Sequence, residues 1–285
     1  MLPTGPAALI VSHPGHELRV YGWMTCVRPW VFVLTDGSGR SARSRLDSTR
    51  RVLAETSARP GSIFGRFTDR QVYEAILRHH FDLFYRLTDE LAHILACRQV
   101  AYVVGDAAEG YNPTHDVCRA VIDAAVALVH RDTEQRPQNF DFTLVGMPDA
   151  GVDDRPGDFV QLHLTDAMFQ RKVLRAFRYP ELAQEVQLAL RCQPDTLGRR
   201  PMSPELRLPL GETPGITGLQ AFQVEYLRHI KTAARVADSA DAPPFYELYG
   251  EQQVAAGHYH EVIRYQQHVQ PLLKALQHHT GLTQP

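Results

Sequence analysis

The strongest constraint on what this chain can fold into is an alternation. Short apolar runs that stop at Gly, Asp or Pro are separated by stretches of helical periodicity. "AALIVSH" stops at a turn, "WVFVLTDGSG" at Thr-Asp-Gly-Ser-Gly, "VAYVVGDAAEGYNP" at Gly-Asp, "FDFTLVGMP" at a proline, and "DFVQLHL" forms a fifth run. Runs that are apolar throughout predict strands buried on both faces of a sheet. Helical patterns follow in "SRLDSTRRVLAET", in "DRQVYEAILRHHFDLFYRLTDELAHILACR" with one break, in "THDVCRAVIDAAVALVHR" and in "TDAMFQRKVLRAFRYPELAQEVQLALR". Strand and helix in turn predict an α/β fold with a mostly parallel sheet covered on both sides.

The character changes near residue 193. "PDTLGRRPMSPELRLPLGETPGITG" is rich in Pro and Gly and reads as an ordered excursion or linker. "LQAFQVEYLRHIKTAARVAD" predicts a helix, and "FYELYGEQQVAAGHYHEVIRYQQHVQPLLKAL" is mostly helical. Two units are expected: a sheet domain over 1–192 that carries the site, and a helical extension over 193–285 packed on it, covering the mouth of the site. No internal repeat is present.

Charge and apolar length exclude some function classes. The 30 basic and 32 acidic residues leave a net charge of -2, so a strongly basic nucleic-acid-binding surface is not expected. No stretch supplies the roughly 18 apolar residues of a membrane span. The start, "MLPTGPAALIVSHP", lacks a basic segment followed by a long apolar one, which argues against a signal peptide. Cys26, Cys97, Cys118 and Cys192 are widely spaced and form no C-x-x-C pair, as expected of reduced thiols in the cytoplasm.

In open α/β sheets, ligands bind at the carboxyl ends of the strands. The polar residues that follow the predicted strands are therefore the candidates. The first strand leads to His13, His16 and Glu17 in "VSHPGHELR", the second to Thr35 and Asp36, and the third to Asp106, Glu109, Asn112, His115 and Asp116. His13 and His16 are three apart across a Pro-Gly turn, close enough to chelate one ion. If the first and third strands are neighbours, His115 joins them, and three imidazoles with one open position are a catalytic zinc pattern. Spacing alone is a weak signal that leaves a polar turn open, and "NPTHD" also reads as a helix cap. Arg40, Arg43 and Arg45 follow the second strand; they suit either an anionic substrate group or a solvated loop. "GHYHEVIRYQQHV" offers His258, His260 and His268 as a weaker second cluster.

"HPGHE" resembles the His-Pro-Asp-Asp-Glu loop of the LmbE-like (PIG-L type) zinc deacetylases, and "NPTHD" their His-Pro-Asp-His loop. "VFVLTDGSG" is similar to the family's second strand, and "TDAMFQRKVLRAFRYPELAQ" to its lysine-bearing helix, so the resemblance spans roughly residues 7 to 190. It implies a Rossmann-like three-layer fold and one zinc ion. It also implies hydrolysis of N-acyl groups on a small, carbohydrate-derived substrate. Carried onto this chain, the metal ligands are His13, His16 in place of the family's Asp, and His115. The family's general base is replaced by Gly15 and its other catalytic histidine by Asn112.

Both groups that handle protons are therefore absent at their usual places. Glu109 and Asp116 are the nearest carboxylates in sequence to take over, followed by Asp106 and Asp36. Glu17 is a candidate for orienting a ligand imidazole, while Asn112 and Arg45 are candidates for contacting substrate. The leading expectation is a zinc-dependent, deacetylase-like hydrolase of an amide or ester. The alternatives are a non-hydrolytic metal- or ligand-binding protein on the same fold, and a metal-dependent lyase or isomerase. Gly15→Asp is expected to raise amide hydrolysis by restoring the missing carboxylate.

Overall fold

A computed structural model describes residues 2–39, 42–150, 152, 157–182, 218–230 and 243–281. Arg40, Cys192, the end of the predicted helix beyond Leu182 and the Pro/Gly-rich stretch up to 217 lie outside the described residues.

The predicted runs form strands β1 (Ala7–Val11), β2 (Trp30–Thr35), β4 (Tyr102–Asp106), β5 (Gln138–Phe142) and β6 (Phe159–His163). Two further strands are present, β3 (Arg59–Phe67) and β7 (Val224–His229). The seven lie in one sheet, in the order β3-β2-β1-β4-β5-β7-β6. β1 is parallel to β2 and β4, β2 to β3, and β4 to β5. β7 is antiparallel to both β5 and β6.

Helices α1 (Tyr21–Val27), α2 (Leu46–Thr56), α3 (Asp69–Leu77), α4 (Phe81–Cys97), α5 (Pro113–Asp132), α6 (Asp166–Phe177), α7 (Phe245–Ala255) and α8 (Gln270–His279) complete the layers. Alternate side chains of each central strand enter opposite cores, as the pleat requires. Ala8, Ile10, Phe32, Leu34 and Val103 join the core beneath α3, α4, α5 and α8. Ala7, Leu9, Val11, Val31, Val33, Tyr102 and Val104 join the core beneath α1 and α2. This is the expected α/β sandwich with a mostly parallel sheet and a helical C-terminal region.

The helix predicted over "LQAFQVEYLRHIKTAARVAD" is corrected in part. Gly218–Gln223 is a 3-10 turn and Val224–His229 is β7. The inward residues of β7 include a buried glutamate, Glu225, beside Leu227, which masks the strand's alternation in the sequence. A segment beyond residue 193 thus lies inside the sheet, between β5 and β6. β3 is an edge strand carrying Pro60, Gly61 and Gly65, with two register shifts against β2. Pro and Gly weaken a strand signal and are tolerated at an edge.

Candidate functional site

Strand order reverses between β1 and β4, and the crevice beyond their carboxyl ends is where such sheets bind ligands. Ser12 ties the two ends together. Its amide and hydroxyl donate to Asp106 Oδ2 at 2.7 and 2.5 Å. The chain then turns at Pro14-Gly15. Gly15 has φ +107°, a conformation suited to glycine, and its amide donates to Glu17 Oε2 at 2.6 Å. A 3-10 turn, His16–Val20, follows. On the other side, Asn112 caps α5 by accepting from the Thr114 amide at 2.9 Å, and His115 is the third residue of that helix.

These loops bring His13, His16 and His115 together. The ring centres are 5.4 Å apart for His13 and His16, 5.2 Å for His13 and His115, and 4.6 Å for His16 and His115. Burial lowers the His16 pKa despite the Asp106 carboxylate beside it. Burial, with His16 and His13 adding to it, holds His115 well below the usual histidine range. Both rings are therefore neutral near pH 7, the form that binds metal.

Each of two rings has a carboxylate behind it. His13 Nδ1 lies 2.8 Å from Thr35 Oγ1 and 3.1 Å from Asp69 Oδ1. His16 Nδ1 lies 2.9 Å from Asp106 Oδ2. Burial pushes the Asp106 carboxyl up, but His16 and Ser12 outweigh it and hold the group below the ordinary carboxylate range. His13 Nε2 and His115 Nδ1 are buried with no hydrogen-bond partner among the described residues.

Three converging imidazoles, one buried and two nearly so, with buried nitrogens on His13 and His115 that have no partner among the described residues, are a donor set that fits a zinc-type cation. With Zn–N distances of about 2.0–2.1 Å, three imidazoles on one tetrahedral ion have centres roughly 5 Å apart. Among the described residues, however, no group of three or more His, Cys, Asp or Glu is set to hold an ion as it stands. The ring centres nevertheless have the spacing that three imidazole ligands of one ion require.

The other candidate residues take varied places. Asp106 is fully buried and committed to Ser12 and His16. Asp36 Oδ1 accepts from the Ser38 amide at 3.0 Å. Asp116 Oδ1 accepts from the Glu109 and Gly110 amides at 3.0 and 3.1 Å. Glu109 accepts from the Leu144 and Val145 amides, at 3.1 Å to Oε2 in each case. Burial pushes Glu109 and Asp116 each up to about 7, although both accept backbone N–H bonds. Burial likewise pushes Glu17 up to about 7, and this carboxylate holds the Gly15 amide, not an imidazole. The Arg45 backbone N–H donates to the Asp36 carbonyl at 2.8 Å, and its Nε is buried without a partner among the described residues. His258 and His268 are engaged separately, with Gln253 and with the Arg264 amide.

Gly15 does not offer an easy position for a restored carboxylate. Its positive φ strains any side chain, and a Cβ would stand 3.0 Å from Leu182 Cδ1 and 3.8 Å from Tyr179. Gly15→Asp would therefore carry backbone strain as well as a carboxylate.

Asp69 is the site residue that sequence reasoning misses. It opens α3, whose N-cap Thr68 and N3 residue Gln71 form a capping box. The signal is present as Thr-x-x-Gln in "FTDRQ", but the Pro and Gly residues of β3 hide the strand that leads to it. The C-terminal region approaches the same end of the sheet. The Tyr246 amide donates to the Gly110 carbonyl at 3.3 Å, and the Phe245 ring stacks on Tyr111 with centres 4.9 Å apart.

No family model matches the chain, and no curated protein matches it. Among solved structures, it is similar to the zinc-inhibited form of teicoplanin deacetylase Orf2. The likeness is 14% in identity with a TM-score of 0.37, over 67% of this chain and 89% of that one. A likeness of this size bears on neither the site nor its chemistry.

Proposed function

We propose that the chain is a metal-dependent hydrolase, with zinc as the cofactor, acting on an amide or ester of a polar, carbohydrate-derived small molecule. The observation that carries this reading is the convergence of three largely enclosed imidazoles from two loops at the switch point of the sheet, two of them backed by carboxylates. His13, His16 and His115 would hold the cation. When bound, such a cation supplies Lewis-acid polarisation of a carbonyl and acidifies a water.

The chain's own residues supply positioning and proton transfer. Asp106 orients His16 and is not free to carry a proton. Glu109 is the candidate proton carrier, because a carboxyl with a pKa near 7 both accepts and returns a proton at neutral pH. Asp116 pins the Glu109 and Gly110 amides, so it shapes the loop that presents Glu109. With Gly15 and Asn112 unable to protonate a leaving amine, that step falls to Glu109 alone, and substrates with good leaving groups, which do not need it, are favoured.

The test is metal content and turnover together. Protein purified without chelators should contain or take up about one zinc per chain, and His115→Ala should lose it. Loaded protein should cleave activated esters faster than unactivated amides. Folded protein that takes up neither zinc nor cobalt(II) overturns the reading. Stoichiometric uptake without turnover on N-acyl and O-acyl sugars favours the non-hydrolytic alternative, which Gly15 and Asn112 already support.

A further inference from the structure

Behind His13 lies an arrangement that the loop motifs do not contain. The imidazole's Nδ1 faces two oxygen atoms, Thr35 Oγ1 at 2.8 Å and Asp69 Oδ1 at 3.1 Å. The Thr35 hydroxyl donates to the Ser12 carbonyl at 3.0 Å, which leaves a lone pair on the histidine side. An ionised carboxylate accepts only. Both neighbours therefore require the proton on Nδ1, and the lone pair falls on Nε2. That Nε2 is the buried nitrogen without a hydrogen-bond partner. Asp69 is itself held in place. Its other oxygen, Oδ2, accepts from the Gly39 amide at 2.6 Å, and it sits in the first turn of a helix with a full capping box. His13 and Asp69 side chains are only 12% and 14% exposed, so water competes little for the contact.

We propose that Asp69 is a positioning residue for His13, fixing the Nδ1–H tautomer so that Nε2 is presented as a metal ligand. The proposal rests on the reading above that the three imidazoles hold a divalent cation. Three neutral nitrogen ligands bring no negative charge to a 2+ ion. Asp69 behind His13 and Asp106 behind His16 return two negative charges one residue further out. They thus offset part of the charge of the ion without ligating it. Carboxylates behind ligand imidazoles fix ring orientation and raise ligand basicity, and losing one weakens metal affinity by about 10–100-fold. The Gly39 contact adds a mechanical link, because the loop after β2 and the first imidazole are held by the same carboxylate.

The discriminating variant is Asp69→Asn, which keeps the size of the side chain. Its amide can turn an N–H toward the imidazole and so favour the wrong tautomer, as a neutral amide in place of an imidazole-bound carboxylate does in serine proteases. Two measurements are made on full-length protein. One is the ¹⁵N shifts of the His13 ring in metal-free protein. The other is zinc and cobalt(II) affinity by competition with a chromophoric chelator. Wild type should show the Nδ1–H tautomer, and Asp69→Asn should shift toward Nε2–H and bind each ion about 10–100-fold more weakly. Thr68→Ala serves as a control, since it removes the helix cap but leaves the carboxylate; it should lower stability and keep affinity within about two-fold. Affinity of Asp69→Asn within two-fold of wild type overturns the proposal, as does an equal loss in Thr68→Ala. If wild type binds neither ion, the hydrolase reading falls. The tautomer measurement then still decides for Asp69, and an unchanged His13 tautomer overturns it.

Discussion

Glu109 shows how the fold changes the chemistry of one side chain. In the sequence it is one acid among 32 acidic residues; in the structure burial raises its pKa from 4.5 to about 7, against the Val145 and Leu144 amides and Arg19. Between those two values the folded chain binds more protons here than the unfolded chain does. The protonated form therefore favours folding, fully so below 4.5, and the advantage is lost as pH rises toward 7. The shift corresponds to roughly 3 kcal/mol. With chelator present, the unfolding free energy should fall between pH 5 and pH 8, and it should fall less in Glu109→Gln, which keeps an acceptor for the two amides. Equal slopes in urea titrations of the two proteins would show that Glu109 is not linked to folding. Gly15 makes the opposite point at the same scale. The residue type that looks like a lost catalytic group is also the one that its φ of +107° calls for.

At the scale of elements, α5 carries two assignments that the sequence could not separate. The resemblance of "NPTHD" to a His-Pro-Asp-His loop would put a catalytic histidine at Asn112, yet its side chain caps the helix that presents His115. A histidine there gives up that cap, at about 0.5–2 kcal/mol. Asn112→His should therefore lower the thermal midpoint, while Asn112→Asp, another good cap residue, should leave it near wild type. A variant Asn112→His as stable as wild type would mean that the cap matters little. β3 and α3 illustrate why Asp69 was not legible. β3 contributes one buried residue, Ile63, and its Pro and Gly residues break the apolar alternation. Without that strand, "FTDRQ" has no reason to lie near "SHPGH".

At the scale of the molecule, the described segment 218–230 is joined to the sheet by charge as well as by pairing. Glu225 on β7 is 1% exposed and binds Lys172 of α6 at 2.7 Å. It also accepts from the Gly22 and Trp23 amides of α1, at 2.8 and 2.7 Å. Lys172 donates in addition to the Arg19 carbonyl at 2.9 Å. One buried glutamate thus fastens β7, α6 and α1. Removing one partner of a buried pair leaves an uncompensated charge and costs about 3–5 kcal/mol. Glu225→Ala should fall in that range and exceed Lys172→Met, because it also strands two backbone N–H groups. Urea unfolding measures both; a loss under about 1 kcal/mol for Glu225→Ala would refute this role.

The sequence by itself determined the α/β class, the five apolar strands and the grouping of His13, His16 and His115 at strand ends. These follow from local patterns, since periodicity and turn residues act over a few neighbours. Tertiary structure decided what depends on distant residues meeting. It placed β7 antiparallel between β5 and β6, where a buried glutamate hides the strand until its lysine partner is seen. It set Asp106 behind His16 and Asp69 behind His13, 90 and 56 residues away. The ionisation of Glu109 and Asp116 is likewise a property of burial, which no spacing along the chain encodes.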